Sequence, residues 1–222
     1  MEHEWVKAAF LVLGLGEDLS FTEIRTAYLE KTSQRKFQQV ILSDEHLEKD
    51  FVKYYKAYIT LLKHYSDSET ADDSSDYPQD NIGKFHFNQG LYYLINQNYM
   101  KAMEKFGHAY KINKKDVLVL LYMGILLLKR KNYYAAEKYF LDAIKIDEEN
   151  DEAWFYLGEN YLKAEEYKKA LKIFETARDL NPARDEIAFK IKEIKEKVGH
   201  KYPGKKKKSL LDRIFKKSSK GK

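Results

Sequence analysis

Residues recur at a fixed interval of 34 along the middle of this chain, and nothing else in the sequence restricts its fold as tightly. Gly90, Gly124 and Gly158 keep that period. So do Ala102, Ala136 and Ala170, then Phe106, Phe140 and Phe174, then Ala109, Ala143 and Ala177. Four columns without gap or insertion mark three copies of one supersecondary unit, at 83–116, 117–150 and 151–184. Within each copy apolar residues return every three or four positions on both sides of a polar break, NQNYM, KRKNYY or KAEEYKK. Each unit therefore reads as two amphipathic helices joined by a short turn. The small residues let helix axes approach closely and the phenylalanine fills the space between pairs. One hairpin cannot bury its apolar side alone, so the three must stack.

The pattern resembles the tetratricopeptide repeat. The third unit carries it most fully, with Trp154, Leu157, Gly158, Tyr161, Ala170, Phe174, Ala177 and Pro182 in the family's places. The first unit departs at His86 and Gln89, the second at Leu120 and Met123, and Lys114 and Glu148 stand where those two units would have the closing proline. The resemblance implies an α-solenoid whose first helices line a concave side. It assigns Phe87 and Leu91, then Leu121, Tyr122 and Ile125, then Phe155, Tyr156 and Glu159 to that groove. Such a lining suits a peptide with large apolar anchors; the alternative for any one of these residues is packing between helices. Some family members hold a peptide's terminal carboxylate with lysines and asparagines. Here Phe87, Leu91, Tyr122, Glu152 and Tyr156 occupy the matching places, so that mode of binding is not expected. Residues 185–199 predict a capping helix, with Ile187, Ile191, Ile194 and Val198 covering the last hairpin and Gly199 ending it.

Ahead of the repeats, residues 1–66 contain three helical signals: the apolar VKAAFLVLGL, a helix opened by the capping box Ser20–Glu23 with Phe21, Ile24, Ala27 and Tyr28 on one side, and EKDFVKYYKAYITLLKHY. The third presents Phe51, Tyr54, Tyr55, Tyr58, Leu61 and Leu62. In order and spacing this unit resembles a J domain. In that family a histidine-proline-aspartate triplet after the second helix engages the heat-shock chaperone; this chain has Lys36, Phe37 and Gln38 there, so the scaffold is expected without the stimulating site. Arg25, Arg35, Lys36, Phe37 and Gln38 would form the surface left to an acidic partner. The segment 67–82 includes TADDSSDYPQD and reads as an acidic flexible linker.

Charge is divided along the chain. The net +5 arises from a tail, 200–222, that carries +9, while residues 1–199 carry −4. Lys205, Lys206, Lys207, Lys208, Lys216 and Lys217 surround Leu210, Leu211, Ile214 and Phe215. This reads either as a solvated end or as a basic amphipathic segment for an anionic membrane surface or for docking on a partner. Nucleic acid would attract it only nonspecifically. The opening run WVKAAFLVLGLG follows Glu2 and Glu4 rather than positive charge, so a signal peptide is not expected. No run reaches the roughly 18 to 20 apolar residues of a membrane span.

No catalytic constellation is legible. The chain has no cysteine, its six histidines lack metal-ligand spacing, and GLGED at 14–18 lacks the features of a phosphate loop. The expectation is an all-α, non-enzymatic adaptor without cofactor, cytoplasmic or peripheral at the inner face of a membrane, with a protein or peptide partner. The alternative is a J-domain-type cochaperone that holds clients through its repeats, although the missing triplet argues against a heat-shock chaperone partner.

Overall fold

The computed structural model describes residues 2–16, 20–32, 45–66 and 79–201. Arg35, Lys36, Phe37 and Gln38, residues 67–78 and the tail from 202, with Lys205 to Lys208, Leu210, Leu211, Ile214, Phe215, Lys216 and Lys217, lie outside the described residues. The described residues form ten helices and no strand. They are α1 (Glu2–Leu13), α2 (Phe21–Thr32), α3 (Glu45–Ser66), α4 (Gln79–Ile95), α5 (Tyr99–Ile112), α6 (Val117–Lys129), α7 (Tyr133–Ile146), α8 (Asp151–Lys163), α9 (Tyr167–Leu180) and α10 (Asp185–Lys201).

The three hairpins are α4–α5, α6–α7 and α8–α9, and their turns fall at the polar breaks. Asn98, Asn132 and Asn150 each accept a backbone N–H three residues on, and Asp116 accepts from Leu118 and Val119. These caps satisfy donors left open at the start of α5, α7, α8 and α6. Inside each hairpin the glycine column meets the phenylalanine column. A Cβ on Gly90, Gly124 or Gly158 would lie 2.4, 2.5 or 2.9 Å from the ring of Phe106, Phe140 or Phe174. All three rings are fully buried, as are the alanines around them. Helix α6 is apolar around its whole circumference because hairpins cover it on both sides.

Each turn places one residue in the left-handed region at the same repeat position: Gln97 at φ 58°, Lys131 at 60° and Glu165 at 59°. None is glycine, although this conformation costs an ordinary L-residue. Gln97→Gly is therefore expected to raise stability by about 0.5–1 kcal/mol. Urea unfolding beside wild type checks this, and no gain would mean the turn carries no strain.

Successive hairpins join through one face of each first helix. Asn160 donates to the Tyr133 carbonyl (3.0 Å), the Tyr161 hydroxyl donates to Glu137 (2.6 Å), and Tyr156 stacks on Phe140 at 6.2 Å between centroids. Among the described residues no repeat-type hairpin precedes α4, and α2 and α3 take its place. Tyr92 stacks on Tyr55 at 4.2 Å, Phe85 meets Tyr58 edge-on at 5.7 Å, and buried Asn88 donates to Thr32 Oγ1 at 2.8 Å. Phe85, Asn88 and Tyr92 occupy the repeat positions of Val119, Tyr122 and Leu126, which the first hairpin covers. The N-terminal helices thus close the open end of the solenoid as a preceding repeat would.

Within the N-terminal unit α1 and α2 both pack against α3. Ile24, Tyr28, Phe51, Tyr55, Tyr58 and Leu61 are buried as the sequence predicts, while Ala27 and Tyr54 are half-buried. Tyr28 and Tyr58 stack at 4.4 Å, and burial, with Tyr55 and Tyr58 beside it, pushes the Tyr28 hydroxyl well above its ordinary range. At the other end α10 buries Ile187, Ile191 and Ile194 and half-buries Val198. It runs to Lys201, through Gly199, where the sequence predicts its stop.

Candidate functional site

Phe87, Leu91, Leu121, Tyr122, Ile125 and Phe155 are all buried, and Tyr156 and Glu159 are half-buried. Phe87 meets Tyr122 edge-on at 5.4 Å and Phe106 at 5.7 Å. Phe155 lies under the Arg184 guanidinium at 3.8 Å, and Glu159 pairs with Lys190 of α10 at 2.9 Å. Most of these residues therefore hold neighbouring hairpins together, and they do not form an open apolar lining.

Two of them, Ile125 and Tyr156, do border a cavity. A pocket of 380 Å³ opens between α6 and α8, where α6 turns into α7. Ile125, Leu128, Tyr133 and Tyr156 give it an apolar and aromatic floor. Lys129, Lys131 and Lys163 complete the lining, and no carboxylate belongs to it. Each lysine is exposed, so its ammonium stays hydrated at the mouth while its stem covers the floor. Lys129 and Lys163 share one repeat position, and the left-handed turn at Lys131 brings a third ammonium to the same rim. Of the acidic groups nearby, Glu159 pairs with Lys190 and Glu152 with Arg184 at 3.3 Å, while Glu48 lies in the field of Lys129 and Glu193 in that of Lys163. Burial pushes the Tyr156 hydroxyl up, with the Glu152 carboxylate adding to the effect. The Glu48 carboxyl of α3 is likewise raised by burial, against the opposing field of Lys129.

Of the N-terminal residues that the sequence offers to an acidic partner, Arg25 lies among the described ones. Its guanidinium sits 5.4 Å over the Phe85 ring, at the junction of α2 with α4. His86 and His108 approach edge-on at 5.1 Å, and burial lowers the affinity of His86 for a proton. Among the described residues no group of three or more His, Asp or Glu side chains is placed to hold a metal ion. No helix among them is long and apolar enough to cross a membrane.

Sequence reasoning missed Leu128, Lys129, Lys131, Tyr133 and Lys163. The signal available was the recurrence of lysine at 129 and 163 on the period of 34, where the first unit has Ile95.

Residues 151–184 match the family model of the tetratricopeptide repeat. No curated protein matches the chain. Solved structures similar to it include MamA of AMB-1, with 14% identity over 82% of this chain and 91% of that one at a TM-score of 0.55. The Arabidopsis OM64 TPR domain is similar over 54% of this chain and 98% of its own, with 19% identity and a TM-score of 0.51. The first TPR of Spaghetti (RPAP3), in a structure bound to the HSP90 peptide SRMEEVD, is similar over 53% of this chain and 93% of its own, with 14% identity and a TM-score of 0.51. The molecule is an all-α protein with a solenoid of tetratricopeptide-type hairpins.

Proposed function

We propose that the chain is a non-enzymatic protein-interaction adaptor that holds an extended acidic peptide at the pocket between α6 and α8. One apolar side chain of the peptide enters over Ile125, Leu128 and Tyr156. Carboxylates flanking it meet Lys129, Lys131 and Lys163. The observation that carries this reading is three ammoniums around an apolar floor with no carboxylate in the lining, on a body whose first 199 residues are net negative. The peptide-bound neighbour supports peptide binding as an activity of the fold. The lysine register differs from that of a terminal-carboxylate groove, whose places hold Phe87, Leu91, Tyr122, Glu152 and Tyr156. In this reading the basic tail brings the complex to an anionic surface, on the support of its composition alone.

The test is a fluorescence titration of the full chain with labelled heptapeptides: one phenylalanine among glutamates, the same with lysines for glutamates, and the same with alanine for phenylalanine. The first is expected to bind best, with affinity falling as salt rises. Lys129→Glu with Lys163→Glu should weaken it by about tenfold or more, since like charges then face the peptide. Equal binding of the three peptides, or an unchanged affinity in the variant, overturns the assignment.

A further inference from the structure

A second cavity lies outside the repeats. It is a shallow groove of 420 Å³ along the outer side of α1 and α3. Its floor is made of small apolar side chains: Ala8, Ala9 and Val12 from α1, Val52 and Ala57 from α3. Ala9 and Ala57 are buried, Val12 and Val52 half-buried, and Ala8 exposed. Lys49, Lys53 and Lys56 form one rim. Their spacing of four and three residues puts them in a single stripe on α3, about 10 Å long. Leu11, one turn beyond Ala8 on α1, is 77% exposed. It serves no core, although it is among the most apolar residues of the chain.

We propose that this groove is a docking surface for an acidic amphipathic helix of a partner protein. Two α-helices side by side leave a furrow into which a third packs its ridge of side chains, and alanine on the floor lets its axis come close. The incoming apolar ridge covers Val12, Val52 and Leu11. Carboxylates along its flank, spaced by three or four residues, align with the lysine stripe. Lys49 is already paired with Glu45 at 2.7 Å, but both side chains are largely exposed, so the pair yields readily to a better partner. The rim is positive while the body that bears it is net negative, so the charge belongs to the groove rather than to the whole surface. The concave, alanine-rich floor separates a helix from an anionic bilayer, which takes up protruding apolar side chains.

Full-length protein is titrated with a labelled 18-residue helical peptide bearing leucines on one face and glutamates beside them. A scrambled peptide of the same composition and phosphatidylserine vesicles serve as comparisons. The helix is expected to bind at least tenfold tighter than the scrambled peptide. Lys53→Glu with Lys56→Glu should remove that advantage, and so should Ala8→Trp, which fills the groove from an exposed position. Lys129→Glu with Lys163→Glu should leave it unchanged, so the outcome is separable from that of the pocket between α6 and α8. If the charge reversal does not fold, as judged by circular dichroism, Ala8→Trp decides. Equal binding of the two peptides overturns the proposal. Vesicle binding that depends on Lys53 and Lys56 without a preference for the helix assigns the surface to a membrane instead. Loss of helix binding in the Lys129/Lys163 variant assigns the peptide to the repeat pocket.

Discussion

Phe140→Ala is expected to destabilise the protein by about 3–5 kcal/mol, among the largest effects available to a single substitution here. Its ring is fully buried in the central hairpin, against Gly124 on one side and Tyr156 of the next hairpin on the other. Deleting it removes contacts within a unit and between units, and the glycine opposite has no side chain to collapse into the void. The same geometry makes a sharper test through the glycine. Gly124→Ala places a methyl 2.5 Å from Phe140 Cε1 and 2.7 Å from Cδ1, distances a packed ring cannot tolerate without moving. Such overpacking costs about 1–3 kcal/mol and outweighs the roughly 1 kcal/mol that alanine gains over glycine within a helix. With Phe140 already alanine the clash is gone and only the gain is left. Gly124→Ala should therefore destabilise the wild type and stabilise the Phe140→Ala variant, a change of sign readable in a double-mutant cycle of urea unfolding. An equal effect in both backgrounds would falsify the view that the two columns exist for each other.

This pairing is why the repeats were legible in sequence: a close approach needs glycine opposite a large ring, and the requirement recurs wherever the hairpin does. The groove was not legible to the same degree. Repeat position tells which residues lie on the inner side of each first helix, but not how much of each the next helix covers. Phe87, Leu121, Phe155 and Phe189 occupy one column, yet the first three are buried and Phe189 is 66% exposed. Tyr122 of α6 covers Phe87, and Arg184 covers Phe155, whereas no described helix follows α10. What decides accessibility is the neighbouring element that packs against each residue. The junction between the N-terminal unit and the repeats was likewise invisible, because Asn88 and Thr32 are 56 residues apart and neither belongs to a pattern. At its end α10 continues through Gly199 to Lys201. A single glycine costs a helix about 1 kcal/mol, too little to end one that its neighbours continue.

Arg184→Met is expected to cost about 2–4 kcal/mol at neutral pH, discounted from a fully buried pair because the side chains retain some solvent. Arg184 is 15% exposed, and its guanidinium lies within 3.6 Å of Asp151, 3.3 Å of Glu152 and 3.5 Å of Glu186 while capping the Phe155 ring. Methionine keeps much of the packing over the ring and removes the charge. Asp151 retains the Asn181 amide at 2.8 Å, but Glu152 has one buried oxygen without a hydrogen-bond partner. Burial already raises the Glu152 carboxyl above its ordinary range against the pull of Arg184, and without the arginine it must rise further. The sign of the pH dependence follows. A carboxyl raised on folding holds more protons in the folded than in the unfolded state between its ordinary value and the raised one, so stability falls as pH increases across that interval. Below it both states are protonated and the deficit from this group vanishes. The Arg184→Met variant should therefore come closer to wild type at pH 4 than at pH 8. Glu152→Gln in the same background should recover part of the loss at pH 8, because the amide needs no counter-charge. A deficit equal at both pH values, with no recovery from Glu152→Gln, would show that Arg184 acts through its contact with Phe155 and not through the carboxylates it joins.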